Sequence, residues 1–392
     1  MESDRAVLVV NAGSSSIKLA VFGTDGEAPL LSAMVERIGS DAASASVTDS
    51  AGARRNVPLQ GRAGDTHEGA LSALLPVLAE ASSLAIAAVG HRIVHGGATF
   101  SSSVTIDAAV LATLEKLIPL ARTHQPHGLA AIRAVTVLWP DVMQVACFDT
   151  AFHTTIPEKA RTLALPRTVR DAGVRRYGFH GLSYRWIAQK LKETLGGQAA
   201  GRFVVAHLGN GASLCGMVDG QSRATTMGFT PLDGLVMGER PGLTDPGAVL
   251  FMVEEMGMDV DALRNVLFKQ SGLLGLSGLS NDMRVLLASP SPEARLAVEV
   301  YVHRVVREVG AMAAEIGGLD GLVFTGGVGE HASFVRGAIL ERLAFLGLRF
   351  DVSANEKNAP RVSPQFAPPI LVIAANEEAV IASDTRLLYA RT

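Results

Sequence analysis

The sequence has little cysteine, no strong charge of either sign and no long hydrophobic run. Its two cysteines, Cys147 and Cys215, lie in apolar strand-like runs without metal-ligand spacing, which excludes a disulfide scaffold. A formal net charge of −3, without a lysine or arginine run, argues against a nucleic-acid partner. No apolar stretch approaches the ~20 residues that a membrane span requires. Glu2, Asp4 and Arg5 precede the first strand, unlike a signal peptide, so we expect a cytoplasmic protein without a membrane partner.

What remains is the composition of a large globular protein. Of the 392 residues, 48% are hydrophobic and 19% are charged, which excludes a disordered chain, and the length predicts two domains. Strand-like runs alternate with helical stretches in two similar halves. This pattern predicts an α/β protein with mixed sheets, two lobes and a cleft between them. The predicted helices are 71–81, 108–117, 129–138, one from about 183, 246–257, 292–317, 334–345 and 377–389.

The first strand-like run leads into a turn that suits a phosphate group. Residues 7–22 read VLVVNAGSSSIKLAVF, which predicts two strands joined by small residues. Backbone N–H groups, the hydroxyls of Ser14 and Ser16, and Lys18 offer what a phosphate oxygen needs. The stretch is not a Walker loop, because GxxxxGK[ST] is absent. Taken alone, it is explained equally well as an ordinary hairpin with a serine-rich turn.

Two later turns resemble the first one. Residues 204–218, VVAHLGNGASLCGMV, repeat the plan of strand, Asn/Gly turn, serine and strand, so we expect an internally duplicated protein in which residues 209–213 mirror the first turn. Residues 321–332, GLVFTGGVGEHA, place another glycine-rich turn after a strand. Because a helix is predicted next, its N-terminal amides would face a ligand.

A few charged and polar residues are candidates for chemistry. Arg92 and Arg240 lie in segments rich in glycine, and Arg240 also lies close to several prolines, which is typical of a rigid site loop. A surface salt bridge is the alternative interpretation of each arginine. His180 precedes Gly181 at the mouth of the helix predicted from about residue 183, so its ring can face a ligand. Three hard oxygen ligands stand at a turn, a strand end and a helix start, and together they suit Mg²⁺: Asn11, Asp149 and Glu377.

Eight motifs carry a family resemblance. They are NAGSSSIK (11–18), GHRIVHGG (90–97), FDTAFH (148–153), YGFHG (177–181), HLGNGAS (207–213), MGFTPLDGL with MGERPG (227–242), FTGGVGEH (324–331) and NEE (376–378). In order and spacing they resemble the acetate kinase family from about residue 7 to 386. The resemblance implies the ribonuclease H-like fold of the acetate and sugar kinase, heat-shock ATPase and actin superfamily, and a homodimer. It also implies one domain of residues 1–151 with 378–392 and a second of 152–377.

The resemblance further implies a role for individual residues. Asn11 and Glu377 would hold Mg²⁺, or Mn²⁺ as an alternative. The catalytic residues would be Arg92, Asp149, His180 and Arg240, and the acyl substrate would contact Arg92, Val94, Phe179 and Pro231. ATP or ADP would bind at Lys18, Ser14, Ser16, His207, Leu208, Gly209, Asn210, Gly211, Asp282, Met283, Arg284, Gly327, Val328, Gly329, Glu330 and His331.

The implied reaction is a reversible, Mg²⁺-dependent, in-line transfer of the ATP γ-phosphate to acetate, giving acetyl phosphate and ADP. Two anions meet in such a transfer, so catalysis rests on positioning and positive charge. Acetate is already ionised, so we expect Asp149 to orient a metal-bound water or an arginine rather than to remove a proton. A kinase for propionate or another short-chain acid, a sugar kinase and a non-catalytic actin-like nucleotide-binding protein are the alternatives.

Five residues depart from the usual family pattern. Leu182 and Tyr184 replace residues of FHGTSH, and Glu239 stands beside Arg240 where threonine is usual. Thr123 replaces an apolar pocket residue, which leaves the acyl-chain preference open. His331 occupies a position where an amide is common. No departure removes a charged catalytic residue.

Overall fold

The two glycine-rich hairpins of the sequence lie at the centres of two separate sheets. The computed structural model describes residues 5–13, 16–59, 61, 63–82 and 84–392. Within it the chain divides into two compact units, which we call unit 1 (up to residue 152, with 376–392) and unit 2 (153–375). Each unit contains one of the sheets. The fold class predicted from the sequence, α/β with mixed sheets, is therefore confirmed.

Strands form where the sequence has short apolar runs bounded by glycine, asparagine or aspartate. Numbered along the chain, they are β1 (Arg5–Ala12), β2 (Ser16–Phe22), β3 (Leu31–Glu36), β4 (Ser44–Asp49), β5 (Arg54–Val57), β6 (Ala85–Ile93), β7 (Val104–Thr105), β8 (Met143–Phe148), β9 (Arg202–Leu208), β10 (Ala212–Val218), β11 (Gln221–Thr225), β12 (Gly321–Thr325) and β13 (Ile370–Val372).

Several helices begin at an aspartate, serine, threonine or asparagine cap, often followed by proline or an acidic residue. They are α1 (His67–Ala81), α2 (Ala108–Lys116), α3 (Gln125–Leu138), α4 (Glu158–Arg161), α5 (Arg167–Asp171), α6 (Gly181–Leu195), α7 (Pro246–Glu254), α8 (Val260–Asn265), α9 (Gly272–Ser277), α10 (Met283–Ala288), α11 (Pro292–Glu315), α12 (Gly326–His331), α13 (Ser333–Arg342), α14 (Val352–Glu356) and α15 (Glu377–Tyr389). Single turns of 3₁₀ or π helix occur at Ile118–Leu120, Ala151–Thr155, Gly196–Ala200, Val266–Gln270 and Ala344–Leu346.

Five neighbouring strands of the first sheet have the same order and directions as the five strands of the second. The first runs β5-β4-β3-β2-β1-β6-β8-β7 and the second runs β11-β10-β9-β12-β13. In β3-β2-β1-β6-β8 the first two pairings are antiparallel and the last two are parallel, and β11-β10-β9-β12-β13 repeats those directions. The hairpins β1–β2 and β9–β10 occupy equivalent places. The internal duplication predicted from the two hairpins is confirmed.

The core of unit 1 lies against one face of its sheet. Alternate apolar residues of β1 to β4 pack with α1 and α3, whose buried residues recur at helical spacing. Helix α15 crosses β6 where Gly90 lies: a Cβ there would be 2.2 Å from Thr385 Oγ1. This close approach lays the C-terminal helix on the central strands and brings its first turn towards the carboxyl ends of β1 and β6.

In unit 2 the long helix α11 covers β9, β10 and β11 with a buried stripe that includes Val298, Val305 and Met312. Ligands bind at the carboxyl ends of parallel strands in open α/β sheets. In unit 2 those ends are His207–Leu208 of β9 and Thr325 of β12, and each leads into a glycine-rich segment. Within the described ranges, no helix has both the length and the apolar character needed to cross a membrane.

Candidate active site

Three predicted site residues of unit 1 meet at the carboxyl edge of its sheet. Asn11 lies near the end of β1, Arg92 lies in β6, and Asp149 follows β8, three neighbouring parallel strands. Arg92 Nη2 donates to Asp149 Oδ2 at 2.6 Å, and Arg92 Nε lies 3.1 Å from both carboxylate oxygens. Arg92 Nη1 donates to Asn11 Oδ1 at 3.2 Å. Nε and Nη2, on one side of the guanidinium group, therefore bind Asp149, and Nη1, at its end, lies towards Asn11.

The first turn of α15 completes this group with two glutamates. Glu377 Oε2 lies 3.8 Å from Arg92 Nε and 3.4 Å from Asn11 Nδ2. Glu378, which the sequence analysis did not select, accepts from Asn11 Nδ2 at 2.9 Å. Asn376 caps the helix by accepting from Ala379 N, so the two glutamates start the helix in a fixed register. The NEE motif contains the signal for Glu378, because consecutive acids at a helix start are common.

Burial and charge act in opposite directions on the arginine. Burial disfavours the Arg92 cation, but Asp149 and Glu377 outweigh that effect and raise the pKa of Arg92 above its ordinary value. Burial also raises the pKa of Asp149, and the ion pair with Arg92 opposes that rise. Asp149 is 1% exposed, so water does not screen the pair. Arg92 is therefore permanently charged and held in one orientation.

The remaining predicted residues of unit 1 lie around this group. Lys18 pairs with Asn11 across the β1–β2 hairpin and, with Glu378, lines a cavity of about 270 Å³ over β2, β3 and β4. Ser16 begins β2, and its carbonyl accepts from Gly13 N at 2.8 Å. Val94 is buried directly after β6. Ser14 lies outside the described residues.

In unit 2, two basic side chains converge on one glycine of the second hairpin. A Cβ on Gly211 would lie 2.9 Å from Arg240 Nη2 and 3.2 Å from His180 Nε2, so only glycine leaves room there. His180 has φ 59° and ψ 23°, a left-handed conformation that is uncommon for non-glycine residues and recurs at functional sites. Its ring stacks on His207 at 4.4 Å between ring centroids.

Arg240 carries a charge without an anionic partner in the described part of unit 2. Its Nη1 donates to the carbonyl of Pro231 at 2.8 Å, and its neighbour Glu239 accepts instead from Asn281 Nδ2 at 2.9 Å. Burial lowers the pKa of Arg240 from its ordinary value to about 10, and Glu239 offsets only part of that effect. A part-buried cation held by a neutral carbonyl oxygen is suited to receive an anion.

A cavity of about 540 Å³ opens beside this pair. Its wall contains eight of the predicted nucleotide-binding residues, namely Gly209, Asn210, Asp282, Met283, Arg284, Gly327, Val328 and His331. Its size suits a drug-sized or nucleotide-sized ligand. Asp282 and Arg284 form an ion pair at 2.6 Å at its rim. His207, Leu208, Gly211, Gly329 and Glu330 do not line it. Leu208 and Gly329 are buried, and Glu330 Oε1 accepts from Gly326 N and Ala375 N.

Comparisons with known proteins show the family of the chain. The model of the acetokinase family matches residues 6–383. The chain belongs to the acetokinase family. It is 46% identical to an acetate kinase of Rhodopseudomonas palustris over 384 residues, with 96% of each chain covered. Among solved structures, a Francisella tularensis propionate kinase matches with a TM-score of 0.91 and a Porphyromonas gingivalis acetate kinase with 0.88, each at 37% identity over 98% of this chain and 99% of theirs.

One residue that supports the cavity was missed by the sequence analysis. Arg336 is fully buried, and its five N–H donors reach the carbonyls of Gly329, Glu330 and Asn355 and the side chains of Asn355 and Asn358. It thereby ties the end of α12, which carries the family's third glycine-rich motif, to α14. Nothing in the spacing of α13 distinguishes this arginine from a surface residue.

The departures from the usual family pattern also have defined places. Leu182 and Tyr184 are buried in the first turn of α6, and His331 lines the cavity. Thr123 Oγ1 lies 2.8 Å from His124 Nδ1, so its hydroxyl group is engaged within the loop. Phe179 is buried, and its carbonyl lies 2.9 Å from His153 Nε2. Glu239, bonded to Asn281, forms no ion pair with Arg240 in the described chain.

Proposed function

We propose that this protein is an acetate kinase, which transfers the γ-phosphate of ATP to acetate and runs in both directions. The observation that carries the proposal is the convergence of Arg240 Nη2 and His180 Nε2 on Gly211, beside a cavity of nucleotide size. A buried cation and an imidazole at a glycine hairpin suit the charge of a transferring phosphoryl group. The relative of R. palustris bears the name acetate kinase at 46% identity, which supports acetate as the acceptor.

Unit 2 binds the nucleotide in this proposal. The base and ribose occupy the cavity, with Asn281, Leu287 and Val328 in its wall, and the phosphates extend towards Gly209, Asn210 and Gly211. Arg240 and His180 then contact the equatorial oxygens of the γ-phosphoryl group. Because transfer proceeds through a loose, charge-spread transition state, an arginine in this role is worth about 10³–10⁵ in rate.

Unit 1 binds the acceptor carboxylate. Arg92 contributes its end-on N–H groups, because its side-on donors are already taken by Asp149. Asp149 holds Arg92 in place by two-oxygen contact and removes no proton, since the acceptor is ionised at neutral pH. This agrees with the expectation that Asp149 orients an arginine. Val94, Phe179 and Pro231 are proposed to contact the acyl chain.

The oxygen donors of unit 1 fit a divalent cation. Asn11 Oδ1 and the carboxylates of Glu377 and Glu378 are hard ligands, and Mg²⁺ is commonly held by one or two carboxylates with water and phosphate. The described chain contains no cluster of three His, Cys, Asp or Glu side chains arranged as metal ligands, so a protein-only cage is absent there. Asn11 and Glu377 would hold Mg²⁺, or Mn²⁺, which would neutralise phosphate charge when bound.

A kinase for propionate or another short-chain acid is the second candidate. The F. tularensis propionate kinase has a TM-score of 0.91 and the same 37% identity as the P. gingivalis acetate kinase, so those two structures do not separate the substrates. Thr123, where the family usually has an apolar residue, is the feature of this chain most relevant to chain length.

One assay tests the proposal. The protein is incubated with ATP and Mg²⁺ and with acetate, propionate, butyrate or glycerol, and acyl phosphate is trapped with hydroxylamine. We expect trapped product with acetate, less with longer acids and none without Mg²⁺. Higher kcat/KM for propionate would favour the second candidate. No product with any acid would refute the kinase function.

Helices α7 and α8 support a homodimer, with a second copy of this chain on their apolar surface. Leu250, Phe251, Met256 and Val260 are 56–68% exposed, and α7 buries no residue. Exposed apolar patches of this kind mark interaction sites. We expect Phe251→Glu to shift sedimentation from dimer to monomer, whereas Val137→Glu, at an exposed position of α3 in unit 1, leaves it unchanged. The buried thiols of Cys147 and Cys215 agree with a cytoplasmic protein.

A further inference from the structure

Tyr184 is one of the two departures from the family pattern in α6 and lies one helical turn after His180. A third residue, Ser213, links the two side chains by hydrogen bonds. The Tyr184 hydroxyl lies 2.5 Å from Ser213 Oγ, and Ser213 Oγ lies 2.8 Å from His180 Nδ1. Ser213 stands on β10, directly after the second glycine-rich hairpin. Three side chains from two elements thus form one continuous hydrogen-bonded relay, Tyr184–Ser213–His180.

The chemistry of the three groups gives the relay a direction. Burial raises the pKa of Tyr184 well above its ordinary value, so the phenol keeps its proton. A phenol is a stronger hydrogen-bond donor than an aliphatic hydroxyl, so Tyr184 donates to Ser213. Ser213 is fully buried, and within the described chain its hydroxyl contacts only Tyr184 and His180. Its single proton is therefore directed to His180 Nδ1.

We propose that Tyr184 is a positioning residue that acts through Ser213 to hold His180 in the tautomer with its proton on Nε2. When Nδ1 of a histidine accepts a hydrogen bond, the ring proton lies on Nε2. That is the nitrogen which lies 3.2 Å from the Cβ position of Gly211, beside Arg240 Nη2. The relay therefore presents the Nε2–H donor of His180 to the phosphoryl group, a role that rests on the proposed function.

Tyr184 is itself held from both sides. The His153 ring meets it edge-on at 5.6 Å between centroids, and the His207 ring does so at 6.5 Å. His153 is anchored by Ser222 Oγ at 2.8 Å. Because the phenol ring is fixed by packing, its hydroxyl keeps its place against Ser213. The hydroxyl can therefore be removed with little change of shape, which makes a conservative test feasible.

The test compares Tyr184→Phe with Tyr301→Phe in the full-length protein. Tyr301 is also fully buried, and its hydroxyl has no hydrogen-bond partner in the described structure, so it is the matched control. Imidazole ¹⁵N chemical shifts, assigned with a His180→Gln sample, report which nitrogen of His180 carries the proton. Acyl phosphate formation gives kcat and KM. We expect Tyr184→Phe to shift His180 towards protonated Nδ1 and to lower kcat about tenfold, with KM for ATP within about twofold.

Two further variants separate positioning from general damage. Ser213→Ala breaks the relay at its centre and should produce the same loss without an additional effect of Tyr184→Phe. Tyr184→His restores a donor of the kind usual in the family and should return kcat to within about threefold of the wild type. Loss of activity without a change of tautomer, or equal effects of Tyr184→Phe and Tyr301→Phe, would overturn the proposal. If the wild-type protein makes no acyl phosphate but Tyr184→Phe still shifts the His180 tautomer, the kinase function is refuted and the relay stands.

Discussion

Replacing Arg240 by methionine should make the protein more stable and nearly inactive at once. The structure gives Arg240 a carbonyl partner, Pro231 O at 2.8 Å, and among the described residues no carboxylate is hydrogen-bonded or ion-paired to it. Burial lowers its pKa from the ordinary arginine value to about 10. Below pH 10 the guanidinium group is charged in both the folded and unfolded protein, so the folded state bears the full cost of desolvating it. That cost shrinks only as pH rises above about 10 towards the ordinary pKa of arginine.

The size of the effect follows from the pKa. Each pKa unit corresponds to about 1.4 kcal/mol, so the charge destabilises the fold by about 3 kcal/mol at most. The lost hydrogen bond to Pro231 offsets about 1–2 kcal/mol of the gain. We therefore expect Arg240→Met to be about 1–2 kcal/mol more stable, a rise of about 1–3 °C in melting temperature for a chain of this length. The rate should fall about 10³–10⁵-fold because no cation remains for the phosphoryl group.

Melting temperature and acyl phosphate formation are measured on the same preparations. Arg336→Met serves as the matched control: that arginine is fully buried with five acceptors, so its loss leaves carbonyls unsatisfied and lowers the melting temperature. A melting temperature of Arg240→Met at or below the wild-type value would refute the idea of an uncompensated charge. Retention of a tenth or more of the wild-type kcat would refute the role of Arg240 in phosphoryl transfer.

Three further predictions concern the acceptor group, the acyl pocket and acid stability. Asp149→Asn, which removes the anion that orients Arg92, should lower kcat/KM for acetate about 100-fold, whereas Asp384→Asn on α15 of the same unit should keep the wild-type rate; near wild-type kinetics of Asp149→Asn would exclude the orienting role. Thr123→Val should raise the ratio of kcat/KM for propionate over acetate about three- to tenfold, and an unchanged ratio would place Thr123 outside the acyl pocket. Burial lowers the pKa values of His91, His95 and His153 to about 4. Between about pH 6.5 and 4 these histidines bind protons in the unfolded chain but not in the folded one, so each lowers the free energy of unfolding by up to about 3 kcal/mol. The melting temperature should therefore fall over this range, and a flat profile would contradict the prediction.

Local signals predicted the elements that carry the chemistry. Helix α15 begins at Glu377 and ends at Tyr389 as expected, because the Asn376 cap and two acidic residues mark its start. The return strand β10 also has its predicted bounds, since a glycine turn precedes it and Asp219-Gly220 follows it. Helix α12 was predicted only as a turn. Three glycines in six residues disfavour a helix, and the Glu330 carboxylate stabilises it by accepting from Gly326 N.

The pairings within the site lay beyond sequence reasoning. Arg92 and Asp149 are 57 residues apart, and only the parallel pairing of β6 with β8 brings them together. Tyr184 and Ser213 are 29 residues apart in different elements, so the effect of the Tyr184 departure could not be read from its motif. A single sequence shows which residue types are present, whereas the strand order decides which of them meet.

The duplicated fold explains why each unit has its own kind of site. In each sheet the carboxyl ends of the parallel strands form an edge beside the central hairpin, but the side chains at the two edges differ. In unit 1 three carboxylates surround one arginine, an arrangement that suits a cation and one bound carboxylate. In unit 2 the edge carries histidines and an arginine without a carboxylate partner, which suits phosphate. The common strand order therefore gives each unit an equivalent edge, and the side chains at that edge decide which ligand it suits.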